Sequence, residues 1–280
     1  MTASSPFVST EWLAANLSAP DLVIVDGSWH LPPSGRNGKA EFLERHIPGA
    51  VFFDIDAIAD DSTGLPHMLP TPTAFAAAVG ALGIGDGLRV VVYDGSGLFS
   101  APRVWWTLKA FGVREVLILD GGMPKWVEEG RPTESGPAIR APAVFSARLD
   151  RSIVADIAKV ETAVAGSIIQ VLDARPADRF AGTAPEPRPG ISSGHIPGSL
   201  NLPFNRIVKD GHLVSPENVR AALLDVGLDL DRPVVTTCGS GVSAAILWVA
   251  LESIGKMPLA LYDGSWAEWA SSGKPIASAP

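Results

Sequence analysis

The chain has 280 residues, 46% hydrophobic and 19% charged, with a formal net charge of -8 at pH 7. That composition can form one large or two ordinary domains, and it argues against disorder. The acidic balance disfavours a general nucleic-acid binder, because such proteins use an excess of Lys and Arg to release counterions. The only cysteine, Cys238, excludes an intramolecular disulfide and a Cys-rich zinc site.

No segment has the pattern of a secretion signal or a membrane span. The N-terminal stretch MTASSPFVSTEW lacks both the basic and the apolar region of a signal peptide. Uninterrupted apolar runs such as residues 244–251 are short, whereas a spanning helix needs about 20 apolar residues. We therefore expect a soluble, reduced, cytoplasmic protein that binds neither membrane nor nucleic acid.

Short apolar runs alternate with helical patterns along both halves of the chain. Unbroken β-rich runs predict strands that are buried on both faces. These runs are residues 22–25, 90–93 and 116–119, followed by 168–172, 234–237 and 259–262. Thr71-Pro72 and Ser215-Pro216 predict helix starts, each a capping hydroxyl followed by proline at the first helical position. Alternating strands and helices predict α/β layers with mainly parallel sheets, whose ligands gather at the carboxyl ends of the strands.

Four motifs occur twice, in the same order and at nearly constant separation. The pairs are HIPGA at His46 and HIPGS at His195, DGSG at Asp94 and CGSG at Cys238, LDGGMPKW at Asp120 and YDGSWAEW at Asp263, and VDGSW at Asp26 and LDARP at Asp173. This repetition predicts two homologous domains, each with its own core. We place them at residues 1–135 and 152–280, joined by a linker at 136–151, because the chain around the join is rich in proline, glycine and small residues.

The lone cysteine begins a glycine-rich loop between a predicted strand and a helix that starts near Ala244. The loop consists of Cys238, Gly239, Ser240, Gly241, Val242 and Ser243. Its glycines let several backbone N–H groups point inward, and the following helix adds its positive N-terminal end. Such a ring of donors would favour a thiolate and would hold a persulfide. The alternative is that Cys238 is an inert, buried, small hydrophobic residue.

Two comparisons within the loop narrow its chemistry. The first-half copy has Asp94 in place of the cysteine, so only the second domain can use a thiol as nucleophile. Cysteine phosphatases close a similar cradle with an arginine six positions after the cysteine, where this chain has Ala244. Phosphate-monoester hydrolysis is therefore disfavoured.

The tandem copies, HIPG in each and CGSGVS in the second alone, resemble the rhodanese-type sulfurtransferases. The stretches FFDID, APRVWW, PEPRPG and YDGSWAEW extend the resemblance over nearly the whole chain. The neutral loop is similar to the subgroup that uses 3-mercaptopyruvate, whereas thiosulfate-using members tend to carry Arg and Lys there. The resemblance implies two α/β domains, each a mainly parallel sheet flanked by helices. It also implies a persulfide on Cys238, release of pyruvate, and no metal or organic cofactor.

The resemblance assigns roles to residues outside the loop as well. It implies that Arg179 and Arg188 bind the donor's carboxylate, since guanidinium matches carboxylate in a fork that Lys cannot copy. The alternative is that both are ordinary surface arginines. Ser240 would donate to the donor's carbonyl or enolate, or else only to its own loop. His46 would support the site from the first domain. The alternative is that His46 stabilises the turn beside IPG, which is the structural role that we expect of His195.

The resemblance names a thiol as the sulfur acceptor, such as thioredoxin or a small thiol, with cyanide as a substitute in the test tube. Two alternative functions stay open at this point. One is a thiosulfate sulfurtransferase, and the other is a non-catalytic sulfur carrier or redox sensor that releases little or no pyruvate on its own.

Overall fold

The computed structural model describes residues 5–166 and 168–278. The outermost parts of the predicted domain ranges, and the first residues of the stretch tested for a signal peptide, lie outside the described residues. The described chain divides into two compact units. The first comprises residues 5–60, 69–150 and 210–212, and the second comprises the remainder, including residues 61–68. The domain limits given above stay a prediction.

The first unit is a five-stranded sheet with flanking helices. Its strands are β1 (Phe7–Val8), β2 (Leu22–Asp26), β3 (Val51–Phe52), β4 (Arg89–Tyr93) and β5 (Val116–Leu119). Its helices are α1 (Thr10–Asn16), α2 (Gly38–Glu44), α3 (Pro72–Ala81), α4 (Ala101–Ala110) and α5 (Gly122–Glu128). The strands run parallel in the order β1-β5-β4-β2-β3.

The second unit repeats this architecture. Its sheet contains β6 (Val154–Ala155), β7 (Gln170–Asp173), β8 (Leu200–Asn201), β11 (Val234–Thr237) and β12 (Ala260–Tyr262). The order is β6-β12-β11-β7-β8, again parallel throughout. Two short strands, β9 (Val208–Lys209) and β10 (His212–Leu213), form a separate sheet that is not part of the repeat, and His212 is assigned to the first unit. The helices are α6 (Ile157–Gly166), α7 (Ala177–Ala181), α8 (Pro216–Asp225), α9 (Ala244–Ser253) and α10 (Ser265–Ser271).

The predicted fold class is confirmed, and the local signals that predicted it have the expected causes. Thr71 and Ser215 cap α3 and α8, accepting hydrogen bonds from the backbone N–H of Ala74 and Asn218. Every residue of β2, β7 and β11 is buried. The predicted run at 168–172 nevertheless begins two residues before β7, and its Ile168 is 70% exposed. The outer strands β1, β3, β6 and β8 were not predicted, because two residues are too few to show a pattern.

The packing of α9 sets the position of the cysteine loop. All eight residues from Ala244 to Leu251 are buried, so this helix is enclosed on every side rather than amphipathic. A helix fixed in this way, together with the buried strand β11 before it, holds both ends of the loop rigidly. Among the described residues, no helix is both long enough and apolar enough to cross a membrane.

Candidate active site

Cys238 lies directly after β11, at the carboxyl end of the second sheet, as the sequence predicts. Its backbone N–H donates to the Ser265 hydroxyl at 3.3 Å, and its carbonyl accepts from the N–H of Trp266 at 2.9 Å. The Gly239 carbonyl accepts from Ala267 N–H at 3.0 Å. The loop is therefore fastened to the first turn of α10 by three hydrogen bonds.

The backbone around the cysteine is shaped by two residues with positive φ. Gly241 has φ +80°, which an L side chain rarely adopts, so the glycine is needed there. Ser265 has φ +50° although it is not glycine, and it is fully buried. Its hydroxyl donates to the Tyr262 carbonyl at 2.8 Å while accepting from Cys238, which holds the strained backbone in place.

The Cys238 side chain is 2% exposed, and Ser240 is 4% exposed. Burial alone does not separate a reactive thiol from an inert one, because both hypotheses allow it. Gly239 and Ser243 are half-buried and form the more open part of the loop. The distinction therefore depends on the polar groups that surround the loop.

Arg179 is the predicted site residue that the structure brings to the loop. It lies on α7, and a methyl group added at Gly239 would be 3.2 Å from its Nη2 atom. The same nitrogen donates to the Glu186 carboxylate. The Nε atom of Arg179 is buried and has no hydrogen-bond partner among the described residues. A buried guanidinium edge without an acceptor is suited to an anionic ligand.

A buried ion-pair cluster holds Arg179 in place. Glu186, whose side chain is 4% exposed, also accepts from Arg175 Nη1 at 2.8 Å. Arg175 in turn pairs with Asp173 at 2.7 Å, and both side chains are 1% exposed. Its guanidinium lies 4.5 Å from the ring centre of Trp266, whose backbone N–H donates to the Cys238 carbonyl. Burial opposes the charge on Arg175, but the two carboxylates outweigh it and raise the pKa of Arg175.

His67 is a site residue that the sequence analysis missed. It belongs to the second unit through residues 61–68, is 5% exposed, and has φ +62°. Its Nδ1 atom lies 3.3 Å from the Ser240 carbonyl. No repeat or motif marks His67, and it is remote from Cys238 in the chain, so only the folded structure reveals the contact.

The structure places the other predicted residues as follows. Arg188 is half-buried, two residues beyond Glu186. His46 lies in the first unit, where its Nδ1 is 2.8 Å from the Phe42 carbonyl and its ring stacks on Phe42. His195 makes the repeat-related contacts with Phe180. The contacts of His195 with Phe180 fit a structural role for this histidine. Catalytic support by His46 stays a prediction.

In the first unit, the copy of the loop is filled by the side chain of Asp94. Asp94 is 1% exposed, and its carboxylate accepts four backbone N–H groups. The donors are Ser96 at 2.8 Å, Phe99 at 2.8 Å, Ser100 at 2.9 Å and Ala101 at 2.8 Å. The loop is thus an anion cradle, and a carboxylate built into the chain occupies it.

Comparisons with known proteins show the family to which the chain belongs. The family model for the rhodanese-like domain matches residues 9–129 and 157–272. A 3-mercaptopyruvate sulfurtransferase of Mus musculus is 45% identical over 275 residues, covering 96% of this chain and 93% of the relative. A thiosulfate sulfurtransferase of Bos taurus is 44% identical over 270 residues, covering 94% and 91%.

A similar solved structure also covers both units. It comes from Escherichia coli and is described as a 3-mercaptopyruvate sulfotransferase with the rhodanese fold. Its TM-score is 0.87 and its identity 39%, over 94% of this chain and 99% of that one.

Proposed function

Because this chain belongs to the tandem rhodanese-domain sulfurtransferases, we propose that it moves sulfur from 3-mercaptopyruvate to a thiol through a persulfide on Cys238. The observation that carries the proposal is the contrast between the two loops. One holds a carboxylate in its cradle, and the repeat-related loop begins with a thiol, followed by the glycine that Arg179 approaches. The inert-hydrophobe alternative for Cys238 offers no reason for a charged guanidinium at that position.

In the first step the Cys238 thiolate attacks the sulfur of 3-mercaptopyruvate. The new S–S bond forms as the C–S bond breaks, and its electron pair moves into the carbon fragment. That fragment leaves as the enolate of pyruvate, stabilised by conjugation and by nearby hydrogen-bond donors. A proton then converts the enolate to pyruvate, and the outer sulfur remains on the enzyme.

Arg179 is our candidate for the group that binds the donor's carboxylate. Its Nη2 edge is held by Glu186, while its buried Nε lacks an acceptor among the described residues. A carboxylate at that edge would complete the hydrogen bonding of the guanidinium and orient the donor's sulfur toward the loop. Arg188, close by in the chain, is the predicted second ligand.

The Asp94 loop serves as a template for the persulfide cradle. Helix α4 begins seven residues after Asp94 and α9 six residues after Cys238, so the second loop is one residue shorter. By this correspondence, the N–H of Ser240 and those of the residues leading into α9 would surround the outer sulfur of the persulfide. Backbone donors of this kind stabilise a negative sulfur without adding a positive side chain.

Proton transfer to the departing enolate needs a titratable group at the loop. We assign it to His67, whose buried imidazole has its Nδ1 atom 3.3 Å from the Ser240 carbonyl. His67→Gln should lower kcat more than it changes the donor KM.

In the second step an acceptor thiolate attacks the outer sulfur, and Cys238 leaves as thiolate. We propose thioredoxin or a small thiol as the acceptor, with cyanide able to replace it in vitro. A reducing compartment such as the cytoplasm suits this cycle, because Cys238 must return to a free thiol. Two half-reactions with a covalent intermediate predict ping-pong kinetics.

The test is intact-mass spectrometry combined with pyruvate detection. Incubation with 3-mercaptopyruvate should add the mass of one sulfur atom and release pyruvate. Cys238→Ser should abolish both, and any sulfur retained by that variant would contradict the mechanism, because the chain has no other cysteine. The absence of both sulfur uptake and pyruvate release when the isolated protein meets 3-mercaptopyruvate would instead support the sulfur-carrier alternative.

Thiosulfate is the competing donor, and the similarity to the bovine thiosulfate sulfurtransferase supports this alternative. The neutral residues Gly239 and Ser240 favour 3-mercaptopyruvate, because a thiosulfate dianion would lack a cationic side chain from the loop. Comparing kcat/KM for the two donors decides between them. A higher value for thiosulfate would contradict the proposed donor.

A further inference from the structure

Four buried charges form one connected cluster beside the cysteine loop. Asp173 pairs with Arg175, Arg175 pairs with Glu186, and Glu186 pairs with Arg179. All four side chains are at most 15% exposed. Two carboxylates and two guanidinium groups give this cluster no net charge. The cluster nevertheless includes Arg179, the candidate group that binds the anionic donor.

Glu186 is the residue of the cluster that balances the positive charge of Arg179. Its two carboxylate oxygens bind different arginines, Oε1 to Arg175 and Oε2 to Arg179. Asp173 already binds Arg175 by three side-chain hydrogen bonds. Arg175 is therefore held without Glu186, whereas the charge of Arg179 is opposed by Glu186 alone among these four groups.

The charge balance affects monoanions and dianions differently. The cost of removing an ion from water rises with the square of its charge, so a dianion loses far more on entering a buried site. The energy returned by the site rises only in proportion to the ligand charge and to the net charge of its surroundings. A neutral cluster with one guanidinium edge that faces the ligand can therefore bind a single carboxylate. It offsets too little of the desolvation cost of a dianion.

We propose that Glu186 makes this site selective for monoanionic sulfur donors over dianionic ones, by cancelling the charge of Arg179. Glu186 is a specificity-determining residue that acts through the arginine and need not touch the donor. The inference rests on the proposed roles of Cys238 and Arg179, and it names a determinant of donor choice outside the cysteine loop.

The test is Glu186→Gln, which keeps one oxygen acceptor and removes the negative charge. The ratio of kcat/KM for thiosulfate to that for 3-mercaptopyruvate should rise by about tenfold or more, because a dianion gains twice what a monoanion gains from an added positive charge. The change should appear mainly in KM. A parallel fall for both donors, with the ratio unchanged, would show a merely structural role and overturn the inference.

Two further variants separate charge from packing. Glu186→Asp keeps the charge, so the donor ratio should stay at the wild-type value even if both rates fall. Asp225→Asn removes the same charge from an exposed pair with Arg206 in the same unit, and it should leave the ratio unchanged. A shift in the ratio for either variant would contradict local charge balance as the cause.

An equilibrium measurement distinguishes this inference from the proposed function. In a Cys238→Ser background, calorimetry with pyruvate as the monoanion and thiosulfate as the dianion reports binding without turnover. Glu186→Gln should tighten thiosulfate relative to pyruvate by about tenfold. If wild-type protein fails to convert 3-mercaptopyruvate, the proposed function falls. If the relative binding is unchanged, the role of Glu186 falls independently.

Discussion

Removing the Asp94 carboxylate should destabilise the first unit strongly, although Asp94 carries no proposed step of the reaction. The side chain is 1% exposed and accepts backbone N–H groups from Ser96, Phe99, Ser100 and Ala101 at 2.8–2.9 Å. Asp94→Ala would leave these four donors facing a cavity. The repeat-related Cys238→Ala is the matched comparison, because it removes a side chain that has no oxygen acceptors.

The expected magnitude follows from the number of donors left unpaired. Each buried N–H that loses its acceptor costs about 1–3 kcal/mol, and bonds to a carboxylate lie toward the upper end. Water entering the cavity recovers part of this cost, so Asp94→Ala should lower the free energy of unfolding by about 4 kcal/mol. Asp94→Asn keeps one oxygen and should lose about half as much. Cys238→Ala should cost about 1 kcal/mol.

Urea unfolding combined with hydrogen exchange measures these effects. Two compact units need not unfold in a single step, so exchange at residues 96–101 should be followed separately by mass spectrometry. Asp94→Ala should accelerate exchange at these amides far more than at the loop that begins with Cys238. If Asp94→Ala cost about as little as Cys238→Ala, the carboxylate would not be what holds the loop, and the template for the persulfide cradle would be lost.

Three further variants test the site and the core. Burial raises the pKa of Asp26 from 3.8 to about 6, so its contribution to stability is complete below pH about 4 and is lost as the pH rises through about 6. Asp26→Asn should therefore raise the free energy of unfolding by up to about 3 kcal/mol at pH 7 and little at pH 4; an equal gain at both pH values, measured by urea unfolding, would contradict this. Gly239→Ala puts a methyl 3.2 Å from Arg179 Nη2 and should raise the donor KM more than it lowers kcat, so an unchanged KM would remove Arg179 from the donor site. His67→Gln should lower kcat about tenfold or more and remove one ionisation from the kcat–pH profile; an unaltered profile would exclude proton transfer by His67.

Several features of the fold could be predicted because they depend on local chemistry. The capping of α3 by Thr71, the buried strand β11 and the position of Cys238 after it all follow from short stretches of sequence, and the structure confirms them. The family assignment and the sulfurtransferase activity, which the resemblance of the motifs implies, are supported by relatives that match nearly the whole chain.

The sequence by itself determined the two-copy α/β architecture, the single thiol and its loop, because repeats, apolar runs and glycines express their effects within a few residues. Only the tertiary structure decided which distant side chains meet that loop. His67 reaches the Ser240 carbonyl from far along the chain, Ser265 accepts from the Cys238 N–H, and Arg179 approaches Gly239. Such contacts depend on how strands and loops are brought together in space, and linear spacing does not encode that arrangement.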